Sequence, residues 1–157
     1  MKILVLSDSH ASLHYMRRTI DFVKPDAVIH LGDYFSDGET MAEDYPEIPF
    51  YAVPGNCDRF RGWIREAETK LETLGGVRFL LTHGHLHHVK STLYSLLSDA
   101  RASKAQIVLF GHTHEAYCNR EEDGLWVLNP GSCGYGGGSA GLIEVERGQI
   151  LSCGIIR

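Results

Sequence analysis

The stretch Lys2-Ile3-Leu4-Val5-Leu6-Ser7-Asp8-Ser9-His10 decides how the rest of the chain is read. An apolar run with no polar alternation reads as a strand buried on both faces, here over residues 2–7, as in a parallel sheet covered by helices. It ends abruptly in Asp8 and His10, side chains with chemistry rather than packing to offer. Leu13, Met16, Ile20 and Val23 follow at helical spacing, and Pro25 closes that helix. Ala27–Leu31 is a second buried strand ending in Gly32-Asp33, and Phe50–Val53 a third ending in Gly55-Asn56-Cys57-Asp58. A strand–helix–strand start of this kind predicts parallel pairing through crossovers. Between the second and third strands, residues 34–48 are acidic and without clear periodicity, and read as a solvated loop or a short surface helix.

The second half changes character. Strands at 67–74 and 77–82 flank Gly75-Gly76, the signature of a tight hairpin, and the second runs into Thr82-His83-Gly84-His85. Val89, Leu93, Leu96, Leu97 and Ala100 give an amphipathic helix. Gln106–Phe110 is a short buried strand that ends in Gly111-His112-Thr113-His114. Further strands near 116–121 and 125–129 flank Asp123-Gly124, and those at 141–146 and 149–156 flank Arg147-Gly148. The expectation is a single α/β domain over 1–157 with an antiparallel-rich C-terminal half.

Composition narrows the function. Fifteen Lys and Arg against twenty Asp and Glu give a net charge of −5, which argues against gripping long nucleic acid or an anionic membrane by bulk charge. No apolar run approaches the roughly 20 residues a membrane span needs, and the first residues do not read as a secretory signal, so a cytoplasmic protein is expected. The four cysteines contain no Cys-x-x-Cys pair and read as free thiols. The Gly134–Gly138 stretch lacks the Lys-Ser/Thr and the following helix of a phosphate loop.

Nine histidines are the informative excess. Asp8, His10, Asp33, Asn56, His83, His112 and His114 all stand at the ends of predicted strands, and strand ends in α/β sheets converge on one edge. Asp8 with His10, and His112 with His114, lie at i and i+2; in extended backbone each pair would face one site. Two carboxylates, an amide oxygen and four imidazoles, with no thiolate, suit Mn²⁺, Fe²⁺, Ni²⁺ or Zn²⁺. Seven ligands exceed what one ion with an open position can use, and fit two ions sharing a carboxylate. Such a pair, about 3.5–4 Å apart, suits in-line displacement at phosphorus. Two divalent ions against Asp8, Asp33 and a hydroxide leave the pocket net positive, which favours a phosphate ester.

In this order, Asp8-x-His10, Gly32-Asp33, Gly55-Asn56-Cys57-Asp58, His83-Gly84-His85 and Gly111-His112-x-His114 resemble the calcineurin-like metallophosphoesterase signature. The Asn-Cys-Asp variant and Asn129-Pro130-Gly131-Ser132 are similar to the small YfcE-type phosphodiesterase branch. The resemblance implies a four-layer αββα sandwich of two mixed sheets. It also implies one ion on Asp8, His10, Asp33 and His114 and a second on Asp33, Asn56, His83 and His112, with Asp33 bridging and manganese the first choice of metal. The implied reaction is hydrolysis of a small soluble phosphodiester by a metal-bound hydroxide. Asp58 would orient loop or ligand. Cys57 stands where many members have His, so leaving-group assistance would fall to it weakly or to the neighbouring His85. The alternatives are a phosphomonoesterase, a nuclease, or a non-catalytic metal-binding scaffold for protein–protein interaction, and exposed strands and aromatics permit a homodimer.

The remaining histidines read as ordinary: His30 as a satisfied core residue, His14 on an exposed helix face, His87 and His88 at the surface. Arg59 and Arg61 are open to a second phosphate or to solvent. Phe60, Trp63 and Tyr135 could stack on a base, with packing in a core or interface as their ordinary role.

Overall fold

A computed structural model describes residues 1–61 and 65–157, with the backbone only at Arg59, Phe60 and Arg61. The chain runs β1 (Lys2–Leu6), α1 (Leu13–Val23), β2 (Ala27–His30), α2 (Phe35–Asp44), β3 (Phe50–Ala52), β4 (Thr69–Leu74), β5 (Val77–Thr82), α3 (Tyr94–Ala102), β6 (Ile107–Leu109), β7 (Tyr117–Arg120), β8 (Trp126–Asn129), β9 (Ala140–Glu146) and β10 (Gln149–Ile156). Short 3₁₀ turns cover Asn56–Arg61 and His85–His87.

These strands form two mixed five-stranded sheets, ordered β10-β9-β1-β2-β3 and β4-β5-β6-β8-β7. The apolar run that opens the chain is central: β1 pairs parallel with β2, in register Leu4 with Val28, and antiparallel with β9, in register Leu4 with Leu142. In the second sheet β6 lies parallel to both β5 and β8.

The continuous hydrophobicity of the inner strands has a direct cause in the layering. Ile3 and Val5 of β1 face the second sheet, where they meet Phe79, Leu81, Ile107 and Leu109 in the inter-sheet core. Leu4 and Leu6, on the opposite face, pack under Met16, Ile20 and Val23 of α1 and Met41 of α2. The second sheet repeats the pattern, with Leu80, Val108 and Val127 turned outward onto Leu96 and Ala100 of α3. Helices, sheet, sheet and helix thus make the four layers. Burying both faces of a strand removes the alternation that one exposed face would impose.

Two elements refine the sequence reading. Of the loop and the short surface helix expected for the acidic segment, residues 35–44 form the helix, but its Phe35, Asp37, Gly38 and Met41 are buried, so one face is packed rather than solvated. The third helix begins at Tyr94, although Val89 and Leu93 still join its apolar cluster. Among the described residues, no helix is long and apolar enough to cross a membrane.

Candidate metal centre

The C-terminal ends of β1, β2, β5 and β6, with the Asn56–Arg61 turn that follows β3, bring the predicted residues to one edge of the sandwich. Asp8, His10, Asp33 and His114 each offer one ligand atom, and these atoms all lie within 4.8 Å of one another. Asp8 Oδ1 stands 3.1 Å from His114 Nε2. Beside this group, His83 Nε2 lies 3.1 Å from Asn56 Oδ1 and 3.4 Å from Asp33 Oδ1. The His112 ring is 5.1 Å from that of His83, centroid to centroid. Asp33 stands between the two groups.

The pairs meet differently from the extended geometry expected. Asp8 and His10 have φ of 51° and 44°, His112 and His114 of 69° and 62°, and Asp33 of 52°. Each is left-handed, a conformation side chains with a Cβ seldom adopt. The turn sends His112 towards His83 and His114 towards His10, whose ring is 5.3 Å from that of His114. Such strain persists only where surrounding bonds overdetermine the backbone, and those bonds are present. Asp8 Oδ2 accepts from Ser7 Oγ (2.5 Å) and from the His112 amide (3.1 Å), which ties the first loop to the last. Ser132 Oγ donates to the Asp8 carbonyl at 2.7 Å. Asn129, buried, donates to the Gly111 carbonyl and to Thr113 Oγ1, both at 3.0 Å, and accepts from the Gly131 amide. Asp33 Oδ1 accepts from the Cys57 amide at 3.0 Å. Gly55 is required beside it, since a Cβ there would stand 2.2 Å from that same oxygen.

The donor set fits a cation. His83 Nδ1 donates to the Leu31 carbonyl at 2.7 Å, which fixes the ring and leaves Nε2 facing the oxygens of Asn56 and Asp33. Asp8 Oδ1 and His10 Nε2 are buried with no hydrogen-bond partner in the protein. Acceptors aimed at one another in a buried space repel unless a proton or a metal ion lies among them. No thiolate joins the set, which keeps it suited to borderline divalent ions.

Electrostatics follow from the same geometry. Burial alone would raise the Asp33 carboxyl, but the hydrogen bond and charge of His83 outweigh it and hold Asp33 well below the usual carboxylate range. Burial would depress the His83 imidazole, yet Asp33 and Asp8 leave it raised. His112 is lowered to about 4, first by burial and then by the charge of His83, so at neutral pH its nitrogen is free to ligate. Partial burial, with the Asp33 carboxylate beside it, pushes the Cys57 thiol up to about 11. That thiol stays protonated and is a poor acid.

Asp58 accepts three backbone N–H groups, from Tyr34 and Phe35 at 2.9 Å each and Gly55 at 2.8 Å. It joins the Asp33 and Asn56 loops, and both of its oxygens are engaged in doing so. His85 lies 5.5 Å from the His83 ring and 6.1 Å from that of His112, with its Nε2 3.8 Å from Glu68 Oε1. His30 is fully buried, donating from Nε2 to Ser9 Oγ at 3.1 Å and accepting the Gly32 amide at Nδ1. His14 and His88 are exposed. His87 is buried rather than on the surface, its Nε2 2.9 Å from Asp99 Oδ2.

Asp37 is the principal residue that the sequence did not single out. It sits inside, accepting from Ser9 Oγ at 2.6 Å and the Ala11 amide at 2.9 Å, and so braces the loop that carries His10. Its signal was hidden in a run of like charges, where five acidic residues look alike. Tyr135 is half-exposed at the rim of the site rather than packed in a core. Trp63 and the side chains of Phe60, Arg59 and Arg61 lie outside the described residues.

Comparisons agree with this geometry. The family model for the calcineurin-like phosphoesterase superfamily domain matches residues 1–148. A probable metallophosphoesterase of Bacillus subtilis, YsnB, is 38% identical over 136 residues, covering 84% of this chain and 75% of its own. The phosphodiesterase MJ0936 of Methanocaldococcus jannaschii is 28% identical over 94% of this chain and 95% of its own. Among solved structures, a predicted phosphoesterase from Streptococcus pneumoniae superposes with a TM-score of 0.74 at 28% identity, over 92% of this chain and 83% of its own. The zinc complex of Vps29 from Entamoeba histolytica shares the fold, with a TM-score of 0.72 at 20% identity over 99% of this chain and 98% of its own. A family match over nearly the whole chain, spanning all the residues that converge at this edge, places the chain in the calcineurin-like phosphoesterase superfamily, whose chemistry implies divalent metal ions.

Proposed function

We propose that the chain is a dinuclear phosphodiesterase that hydrolyses a small soluble ester, with manganese as the working metal. One observation carries the reading: two groups of metal-ligating atoms meet at the Asp33 carboxylate, and among them the buried Asp8 Oδ1 and His10 Nε2 have no hydrogen-bond partner in the protein. Asp8, His10, Asp33 and His114 would hold one ion, and Asp33, Asn56, His83 and His112 the other. When bound, the ions supply Lewis acidity that polarises the phosphoryl group and lowers the pKa of water. The residues contribute fixed geometry: Ser7 and the His112 amide orient Asp8, and Leu31 orients His83.

We assign the proton for the departing alkoxide to His85, with Glu68 beside its Nε2, over the Cys57 thiol raised to about 11. Asp58 maintains the loops. The preference for a diester is supported by the likeness to MJ0936, itself named a phosphodiesterase. The acidic balance of the chain disfavours a long nucleic-acid substrate.

The test is hydrolysis of bis-p-nitrophenyl phosphate beside p-nitrophenyl phosphate by chelator-stripped protein restored in turn with Mn²⁺, Ni²⁺, Zn²⁺ and Mg²⁺. Metal-dependent diester turnover, highest with Mn²⁺, is expected. Protein that binds two ions per chain and turns over neither ester would overturn the hydrolase reading in favour of a scaffold.

A further inference from the structure

Beside the candidate ligands lies an aromatic ring to which the proposed chemistry gives no role. Tyr135 stacks on His114, with centroids 5.4 Å apart and planes at 19°, and its centroid is 4.9 Å from that of His10. Yet it remains 56% exposed. The main chain that carries this ring is tied down by hydrogen bonds. The Tyr135 and Gly134 amides both donate to Ser132 Oγ at 3.1 Å, the hydroxyl that also anchors Asp8. The Gly138 amide closes the turn on the Tyr135 carbonyl at 3.1 Å. The two residues that follow, Gly136 and Gly137, face open space: a Cβ at either would meet nothing within 4 Å. A half-exposed π-face held against two candidate metal ligands can serve as a stacking platform.

Resting on the phosphoesterase reading above, we propose that Tyr135 determines specificity, making the site select phosphate esters whose alcohol carries a planar aromatic group. The phosphoryl group would lie at the Asp8–His10–Asp33–His114 cluster, and the ring of the esterified group against the free face of Tyr135. An aliphatic ester offers no such face. One stacked ring contributes on the order of tenfold in affinity.

Non-hydrolysable phosphonates test this independently of turnover. Calorimetry on the manganese-loaded protein should find phenylphosphonate binding about tenfold tighter than methylphosphonate. Y135A should bring the two affinities to within about twofold, mainly by weakening phenylphosphonate, and Y135F should keep the discrimination. A nucleoside 5′-phosphonate binding tighter than phenylphosphonate would identify the ring as a nucleobase; weaker binding would identify a simple aryl ester. Tyr135 serving only to pack His114 would instead lower manganese affinity and weaken both phosphonates equally in Y135A, which overturns the proposal. So would equal affinities in the unaltered protein. Discrimination without turnover of either nitrophenyl ester sinks the hydrolase reading alone, and turnover without discrimination sinks this inference alone.

Discussion

The two ends of the sandwich differ in which side chains sit on left-handed backbone. At one end the hairpins rely mainly on glycine, which takes left-handed backbone without strain. Gly75-Gly76 joins β4 to β5 and Arg147-Gly148 joins β9 to β10, with φ of 56°, 80°, 50° and 78°. The Gly148 amide bonds to the Gly75 carbonyl at 2.8 Å, so the two sheets brace each other there. At the other end Asp8, His10, Ala11, Asp33, Tyr34, His112 and His114 adopt left-handed backbone with side chains that disfavour it. Each such residue costs on the order of 1–3 kcal/mol, offset by Asp37, Asp58, Asn129 and Ser132. At the hairpin end the left-handed residues carry no candidate ligand, whereas at the other end most of them do.

The contrast can be broken in several places. Asp33→Asn should have the largest effect, because both groups of acceptors use this carboxylate. On the proposed function, manganese stoichiometry by mass spectrometry should fall below two per chain, and diester turnover should drop by roughly a thousandfold or more; full activity with added Mn²⁺ would overturn the bridging role proposed for Asp33. Next is Asn129→Ala, which removes two bonds to the 111–113 loop without touching a ligand. Turnover should fall by roughly 10–100-fold with metal affinity lowered in step. An unaffected enzyme would mean that the strained loop holds itself.

Gly75→Ala probes the opposite end. A Cβ there meets Val145 Cγ2 at 2.4 Å and carries a left-handed φ, so the expected loss is about 1–3 kcal/mol of stability, read by chemical denaturation. kcat/KM should stay unchanged, since strain at this end aims nothing. Coupled losses in stability and turnover would erase the division between the two ends.

The pH dependence of the chelated protein sharpens the same division. His112 is lowered to about 4 and His30 is lowered as well, burial leading in both. An unfolded histidine titrates near 6.5, so between about pH 6.5 and 4 the unfolded chain binds more protons and stability falls as pH falls. Asp33, held below the usual carboxylate range, adds to the loss at the acid end of that window. His83 is raised, and its contribution is lost only as pH rises above 6.5. Tm of metal-free protein should therefore decline from pH 6.5 to 4; a flat profile would show that these groups do not titrate with folding. The smallest effect is expected from Cys57→Ala, within about threefold in turnover, against a loss at least tenfold greater for Asn56→Ala. Equal losses would give the thiol a primary role.

Much of the architecture was legible because buried strands write unbroken apolar runs and tight hairpins need left-handed residues; Ile3–Leu6, Gly75-Gly76 and Arg147-Gly148 are local statements. The seven candidate ligands were legible for a related reason. Strand ends in an α/β sheet share an edge, so chemistry-bearing residues at those ends share a site. What sequence could not decide was anything set by partners distant along the chain. Asp37 is one of five acids in its segment, and only the packing of α2 against the sheet brings it to Ser9 and Ala11. His87 is buried with Asp99 of the next helix as the partner of its Nε2. His112 and His114 diverge because their left-handed backbone is held from Asp8 and Asn129. Hydrogen bonds between residues a dozen or more positions apart leave no periodicity in a sequence, so residue types and their strand-end positions were local information, while aim, strain and the exposed face of Tyr135 belonged to the tertiary structure.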